Sequence, residues 1–198
     1  MFTTISSTVL VQGLHEPNNE PAWRQFSARY ETMLFAFACR AGLRDADARD
    51  VVQETLVAFL EDFRQGKFDR QKGRLRSWLQ GIAFNRIKRA RHRLAKREVQ
   101  VAESTSATGF MNRVPDDHEL TDIFDAEWRR AVAAECMQEA RRESDAKTFR
   151  AFELYALKAR PAEEVAEHLG MSRNAVYISK TRVLSRLREL GPKIAEVW

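Results

Sequence analysis

Residues 161–190, PAEEVAEHLGMSRNAVYISKTRVLSRLREL, decide the fold. Pro161 opens a short helix at a position where a missing amide hydrogen costs nothing. Ala166 is small where two helices must cross closely, Gly170 allows a tight turn, and Ser172 can cap the helix that follows. Val176, Val183, Leu187 and Leu190 then share an inward face, while Asn174, Tyr177, Ile178, Thr181 and Ser185 turn outward behind Arg173 at the tip. The layout is that of a helix-turn-helix, in which outward residues near the N-terminus of the second helix meet base edges and flanking cations meet phosphates. Arg173, Asn174, Tyr177 and Thr181 are the expected base-reading set, with Arg182 a further DNA contact. A helical hairpin with a merely solvated face is the plain alternative.

Outward from this segment the chain stays helical in pattern. Segments at about 120–142 and 146–159 precede it, and Gly191-Pro192 is expected to end the last helix. Further upstream, Trp23, Phe26, Tyr30, Met33, Leu34 and Phe37 recur at steps of three and four, which predicts an amphipathic helix over 22–40. Gly42 stops it and Asp45 can cap the next, at about 46–64, with a stripe of Val52, Leu56, Phe59, Leu60 and Phe63. The opposite face of that second helix carries Asp47, Asp50, Glu54 and Glu61. A polar loop over 66–73 holds one apolar residue, Phe68, and a third helix starts near Leu75 with Trp78, Leu79, Ile82, Ala83 and Ile87 on one side. Periodicity lapses between Val99 and Asp117, where Ser, Thr, Gly and Pro gather. The expected organisation is all-α: a leader over 1–21, a helical domain over 22–97, a flexible linker over 98–118 and a second helical domain over 119–198.

Composition narrows the class of function. The 198 residues carry a net charge of +5 and a pI near 9.5, compatible with a polyanionic partner. Charge is also segregated: Arg86, Lys88, Arg89, Arg91, Arg93, Lys96 and Arg97 form one basic block, whereas 45–62 is acidic, which suggests separate surfaces for nucleic acid and for another partner. Cys39 and Cys136 lack any metal-ligand spacing, so neither a disulfide framework nor a zinc site is expected, and no cofactor is implied. The segment 5–11 is too short and polar for a signal peptide or membrane span, so the chain reads as cytoplasmic, without membrane insertion.

The basic block follows an aromatic-bearing helix and a polar loop. That combination suits single-stranded DNA, where cations track the backbone and apolar pockets accept unstacked bases. A solvated helix face is the alternative.

The order of motifs resembles the bacterial sigma-70 family of RNA polymerase sigma factors, of the small extracytoplasmic-function type. Trp23-x2-Phe26-x3-Tyr30, Gly42-Leu43 and Asp47-Ala48-Arg49-Asp50-Val51-Val52-Gln53-Glu54 look like regions 2.1 to 2.2. Phe68-Asp69, Gly73, Arg76-x-Trp78-Leu79 and Ile82-Ala83-x-Asn85 are similar to regions 2.3 and 2.4, and 161–190 to region 4.2. The resemblance implies a non-enzymatic initiation factor that binds core RNA polymerase and promoter DNA. Asp47, Asp50, Gln53 and Glu54 would dock on the β′ clamp helices, and the β flap is a further expected contact on the polymerase. Lys67, Phe68 and Asn85, with the loop 67–73, would hold flipped −10 bases, and Arg86, Lys88, Arg89 and Arg91 would hold phosphates. Arg173, Asn174, Tyr177, Thr181 and Arg182 would meet the −35 element. An anti-sigma factor or a kinase is a further expected kind of partner.

One departure stands out. Arg49 occupies a position that is commonly acidic in the family, inside the polymerase-binding segment. Either Arg49 points away and is neutral in effect, or core binding is weakened until something compensates. Thr55, six residues on and at the edge of the buried stripe, is the candidate phosphosite that could restore the lost acidity. The rivals explain less: another helix-turn-helix regulator leaves 47–85 without a purpose, a nucleic-acid enzyme lacks a catalytic constellation around His15, His92, His118 or His168, and an adaptor does not account for the basic block.

Overall fold

The computed structural model describes residues 13, 14, 16, 19–68, 74–104 and 116–198. These form helices joined by turns, with no strand among the described residues. The chain divides into two compact units, Met1–Arg129 and Arg130–Trp198.

In the first unit, α1 spans Glu20–Arg40. Its start is fixed by Asn19, whose side chain accepts a hydrogen bond from the Ala22 amide at 3.1 Å, with Pro21 in the first turn. Gly42 adopts the left-handed conformation, φ 91°, and turns the chain into α2, Asp45–Arg64. Asp45 does not cap this helix. Arg44 precedes it without a side-chain cap, and Asp45 lies inside the first turn, where its charge suits the helix dipole and pairs with Arg49 at 3.7 Å. α3, Leu75–Ser104, runs well past the residue at which the linker was expected. Residues 69–73 of the polar loop, 105–115 of the linker and most of the leader lie outside the described residues.

Aromatic rings build this core. Phe26 of α1 stacks on Phe59 of α2 at 4.4 Å between centroids, and Phe59 meets Trp78 of α3 at 4.9 Å. Such pairs add about 0.5–1.5 kcal/mol each beyond area burial. α4, Asp117–Glu143, begins within the same unit. Its Phe124 meets Phe37 edge-on at 5.2 Å, and its Trp128 stacks on Tyr30 at 5.9 Å. Three ion pairs flank that apolar seam: Asp117 with Lys88, Asp125 with Arg76, and Glu127 with Arg40 at 2.5 Å. The division between units therefore falls inside α4, where the sequence had suggested that residue 119 onward forms one body.

The second unit holds the rest of α4, then α5, Ala146–Phe152, α6, Ala162–Leu169, and α7, Arg173–Val197. Asp145 caps α5 by accepting from the Thr148 amide at 3.0 Å. The single helix expected over 146–159 instead widens into a π-turn at Glu153–Leu157. The Lys158 amide donates to the Glu153 carbonyl, five residues back, at 3.0 Å. Ala151, Leu154, Ala162, Val165, Ala166 and Val176 pack into one cluster behind the α6–α7 turn. α7 does not stop at Gly191-Pro192; it continues through Pro192. An interior proline costs about 3 kcal/mol. Ile194 and Trp198 beyond it are both buried, and burying large apolar side chains at about 1.5–3 kcal/mol each offsets that cost. Among the described residues, no helix is long and apolar enough to cross a membrane.

Candidate nucleic-acid interface

α3 sorts its basic block by angle. At about 100° per residue, Trp78, Asn85, Arg89, His92 and Lys96 fall within a stripe roughly 60° wide, and the last four are exposed. From Trp78 to Lys96 the stripe is about 27 Å long at about 1.5 Å per residue. No described acid pairs with Arg89 or Lys96. At one end, Phe68 stacks on Trp78 with centroids 4.9 Å apart and planes 23° apart. An aromatic platform leading toward Arg89 and Lys96, two cations without an acid partner among the described residues, is an arrangement that can stack a base and track a single-stranded backbone. Lys67, beside the platform, is exposed and holds Asp62 at 2.6 Å.

Arg86, Lys88, Arg91 and Arg93 of the block engage neighbouring helices. Arg86 and Arg93 lie on the α2 flank and share one carboxylate, Glu54, at 3.6 and 3.5 Å. Lys88, on the opposite flank, is exposed and pairs with Asp117. Arg91 is buried, and one of its terminal nitrogens donates to the Ala41 carbonyl at 2.6 Å, which ties α3 to the end of α1. Desolvation holds the Arg91 guanidinium below its usual pKa. Of the arginines and lysines expected to grip phosphates, the structure thus leaves Arg89 outward, engages Arg86 and Lys88 at the margins, and commits Arg91 to the fold. His92 and Lys96 join the stripe through an angular sorting that a block of adjacent cations does not reveal.

On α2, Asp47, Asp50, Glu54 and Glu61 fall within about 60° of one another. Val57 is exposed beside them, and Gln53 is exposed at the edge of this face. An acidic face beside an exposed apolar side chain suits a protein partner more than a polyanion. Arg49 is turned roughly 130° away from it. Its guanidinium lies 5.6 Å from the centroid of the Phe35 ring and close to Asp45, so it does not interrupt the acidic stripe. Thr55 is fully buried and donates its hydroxyl to the Val51 carbonyl at 2.7 Å.

In the second unit the α6–α7 turn has the expected chemistry. Gly170 is left-handed with φ 56°, and the Ser172 hydroxyl accepts from the Ala175 amide at 3.1 Å. Val176, Val183 and Leu190 are buried, which turns Arg173, Asn174, Tyr177, Thr181 and Arg182 to solvent. Tyr177 is 47 % and Ile178 42 % exposed, large apolar surface on an otherwise polar face. Arg173 is held across the turn by Glu163 at 2.7 Å, which lowers the Glu163 pKa and raises that of Arg173. Thr181 donates to the Tyr177 carbonyl at 3.1 Å, leaving its oxygen free to accept.

Residues 26–97 match the family model described as Sigma-70 region 2. The match covers α1 from Phe26, α2, and α3 as far as Arg97, and so contains both the acidic face and the stripe. No curated protein matches the chain.

Proposed function

We infer that this chain, a sigma-70 family sigma factor that directs core RNA polymerase to initiate at specific promoters without catalysing a reaction of its own, is of the small two-domain extracytoplasmic-function type. On this reading the acidic face of α2, with Asp47, Asp50, Gln53 and Glu54, docks on the β′ clamp helices. The platform of Phe68 and Trp78, with Lys67, Asn85 and Arg89, receives the opened non-template strand of the −10 element. Arg86 and Lys88 reach phosphates at its margins by exchanging their carboxylate partners. The second unit carries the −35 reader, with Arg173, Asn174, Tyr177, Thr181 and Arg182 facing the major groove, and it meets the β flap.

The observation that carries the reading is the joint presence, on adjacent helices of the matched domain, of an acidic face and a stripe that runs from stacked rings to Arg89 and Lys96, neither paired with an acid among the described residues. Capture of core polymerase by the full chain, followed by run-off transcription from promoters selected out of a randomised pool, tests it. Initiation that depends on the chain and on both a −10 and a −35 element supports the two-domain reading. Initiation indifferent to the −35 sequence would remove the second unit from promoter reading.

A further inference from the structure

The π-turn at Glu153–Leu157 lies outside the helix-turn-helix itself, yet it presents a ring to that motif. Tyr155 meets Tyr177 of α7 edge-on, with centroids 5.5 Å apart and planes at 80°. The Lys180 ammonium lies 5.4 Å from the centroid of the Tyr155 ring. One half-buried ring thus engages two side chains three residues apart on α7. Two residues past the wide turn stands Ala159, whose φ of 52° is a conformation that L-residues disfavour. Strain of this kind persists where the surroundings over-determine it, and π-turns recur at functional sites.

We propose that Tyr155 is a positioning residue for −35 reading: its ring fixes the rotamer of Tyr177 and holds Lys180 beside it before DNA arrives. The proposal rests on the reading that α7 enters the major groove. An exposed tyrosine with free torsions loses rotamer entropy on docking, and a ring already braced loses less. The edge of one ring against the face of another is directional, so the brace specifies orientation as well as burial. A cation over the ring face keeps the Lys180 charge near the groove edge, where it meets phosphate without steering sequence.

The test uses the holoenzyme of full-length chain and core polymerase. Its DNA probes are the −35 duplex that the wild-type holoenzyme selects from a randomised pool, and the single-base variants of that duplex. Tyr155→Phe keeps the ring and retains wild-type discrimination. Tyr155→Leu keeps apolar volume without the ring, and loses about threefold to tenfold in discrimination at the base read by Tyr177, the cost of freezing one side chain. Its non-specific binding and salt slope stay near wild type. If Tyr155→Leu weakens all duplexes equally, in step with thermal stability, Tyr155 is only a packing residue and the proposal is overturned. If Tyr177→Ala loses discrimination and Tyr155→Leu does not, the proposal fails while the −35 reading stands. If Tyr177→Ala itself changes nothing, the role of Tyr177 in reading fails, and the brace with it.

Discussion

Arg89 and Arg91 are two positions apart in one basic run, yet the fold gives them different work. Arg89 stands outward on the α3 stripe, whereas Arg91 is buried and donates to the Ala41 carbonyl. Arg89→Ala should leave stability within about 0.5 kcal/mol of wild type. It should weaken binding of a single-stranded −10 oligonucleotide and reduce the salt slope by about 0.7, the loss of one phosphate contact. Arg91→Ala should instead cost about 1–3 kcal/mol, because a buried carbonyl loses its donor. Denaturant titration beside oligonucleotide titration separates the two, and equal stability for both variants would undo the assignment. Thr55 raises the same question. A single-helix wheel sets it at the edge of the buried stripe, but α2 packs against both α1 and α3, and two neighbours widen the arc that is buried. Thr55→Val should be tolerated to within about 1.5 kcal/mol, the scale of one net hydrogen bond. Thr55→Glu should cost several kcal/mol by forcing a charge into the core. Loss of polymerase binding in Thr55→Glu then tracks loss of the fold in thermal melts, and a kinase reaches this hydroxyl only once α2 has opened. A Thr55→Glu protein that melts like wild type would refute this.

At the scale of elements, what could be read from the sequence was what depends on neighbours along the chain. The steps of three and four in α1, the acidic first turn of α2, Gly170 at the α6–α7 turn and Ser172 at the start of α7 are all local, and each stands where the spacing put it. Partners distant in sequence were not legible. The apolar seam of Phe124 and Trp128 is helical in either unit, and only Phe37, Tyr30, Arg76 and Arg40, dozens of residues away, decide which one takes it. Pro192 reads as a stop until Ile194 and Trp198 are seen buried beyond it. Within the second unit, α4 is tied to α7 by the two-pronged pair of Glu143 with Arg186, whose second contact is 2.8 Å, and Arg186 also holds Glu189 at 2.8 Å. The hydrogen bonds from Arg186 hold the Glu143 carboxyl below the ordinary carboxylate range. A depressed folded-state pKa contributes stability above the unfolded-state value and loses it as pH falls through the folded one. Thermal stability of this unit should therefore fall as pH drops from the ordinary carboxylate range downward. The pair is exposed, so the effect is small and is screened by salt. Glu143→Gln should flatten that part of the profile, and a variant whose acid dependence matches wild type would show that the pair contributes nothing there.

For the whole molecule, two units with separate cores carry separate surfaces: an acidic face on α2 in one and the outward face of α7 in the other. Asp50 and Asn174 sit on those two faces and share no partner among the described residues. Asp50→Lys places a cation on a face whose charge complements a basic partner, so affinity for core polymerase should fall. The fold should stay intact, because exposed substitutions of this kind change stability by about 0.5 kcal/mol or less. Asn174→Ala removes a side chain able to bond a base edge in two places. Preference at one −35 position should then relax by roughly 1–3 kcal/mol, while core affinity is unchanged. Independent sites combine additively to within about 0.5 kcal/mol. The double variant should accordingly show the core affinity of Asp50→Lys and the base preference of Asn174→Ala, measured by core titration and by holoenzyme binding to −35 variants at saturating core. A double variant that departs from the sum by more than about 0.5 kcal/mol would mean that docking on polymerase and reading of the −35 element are coupled through the chain. In that case the two units would act as one device, and the −35 preference of the free chain would differ from that of the holoenzyme.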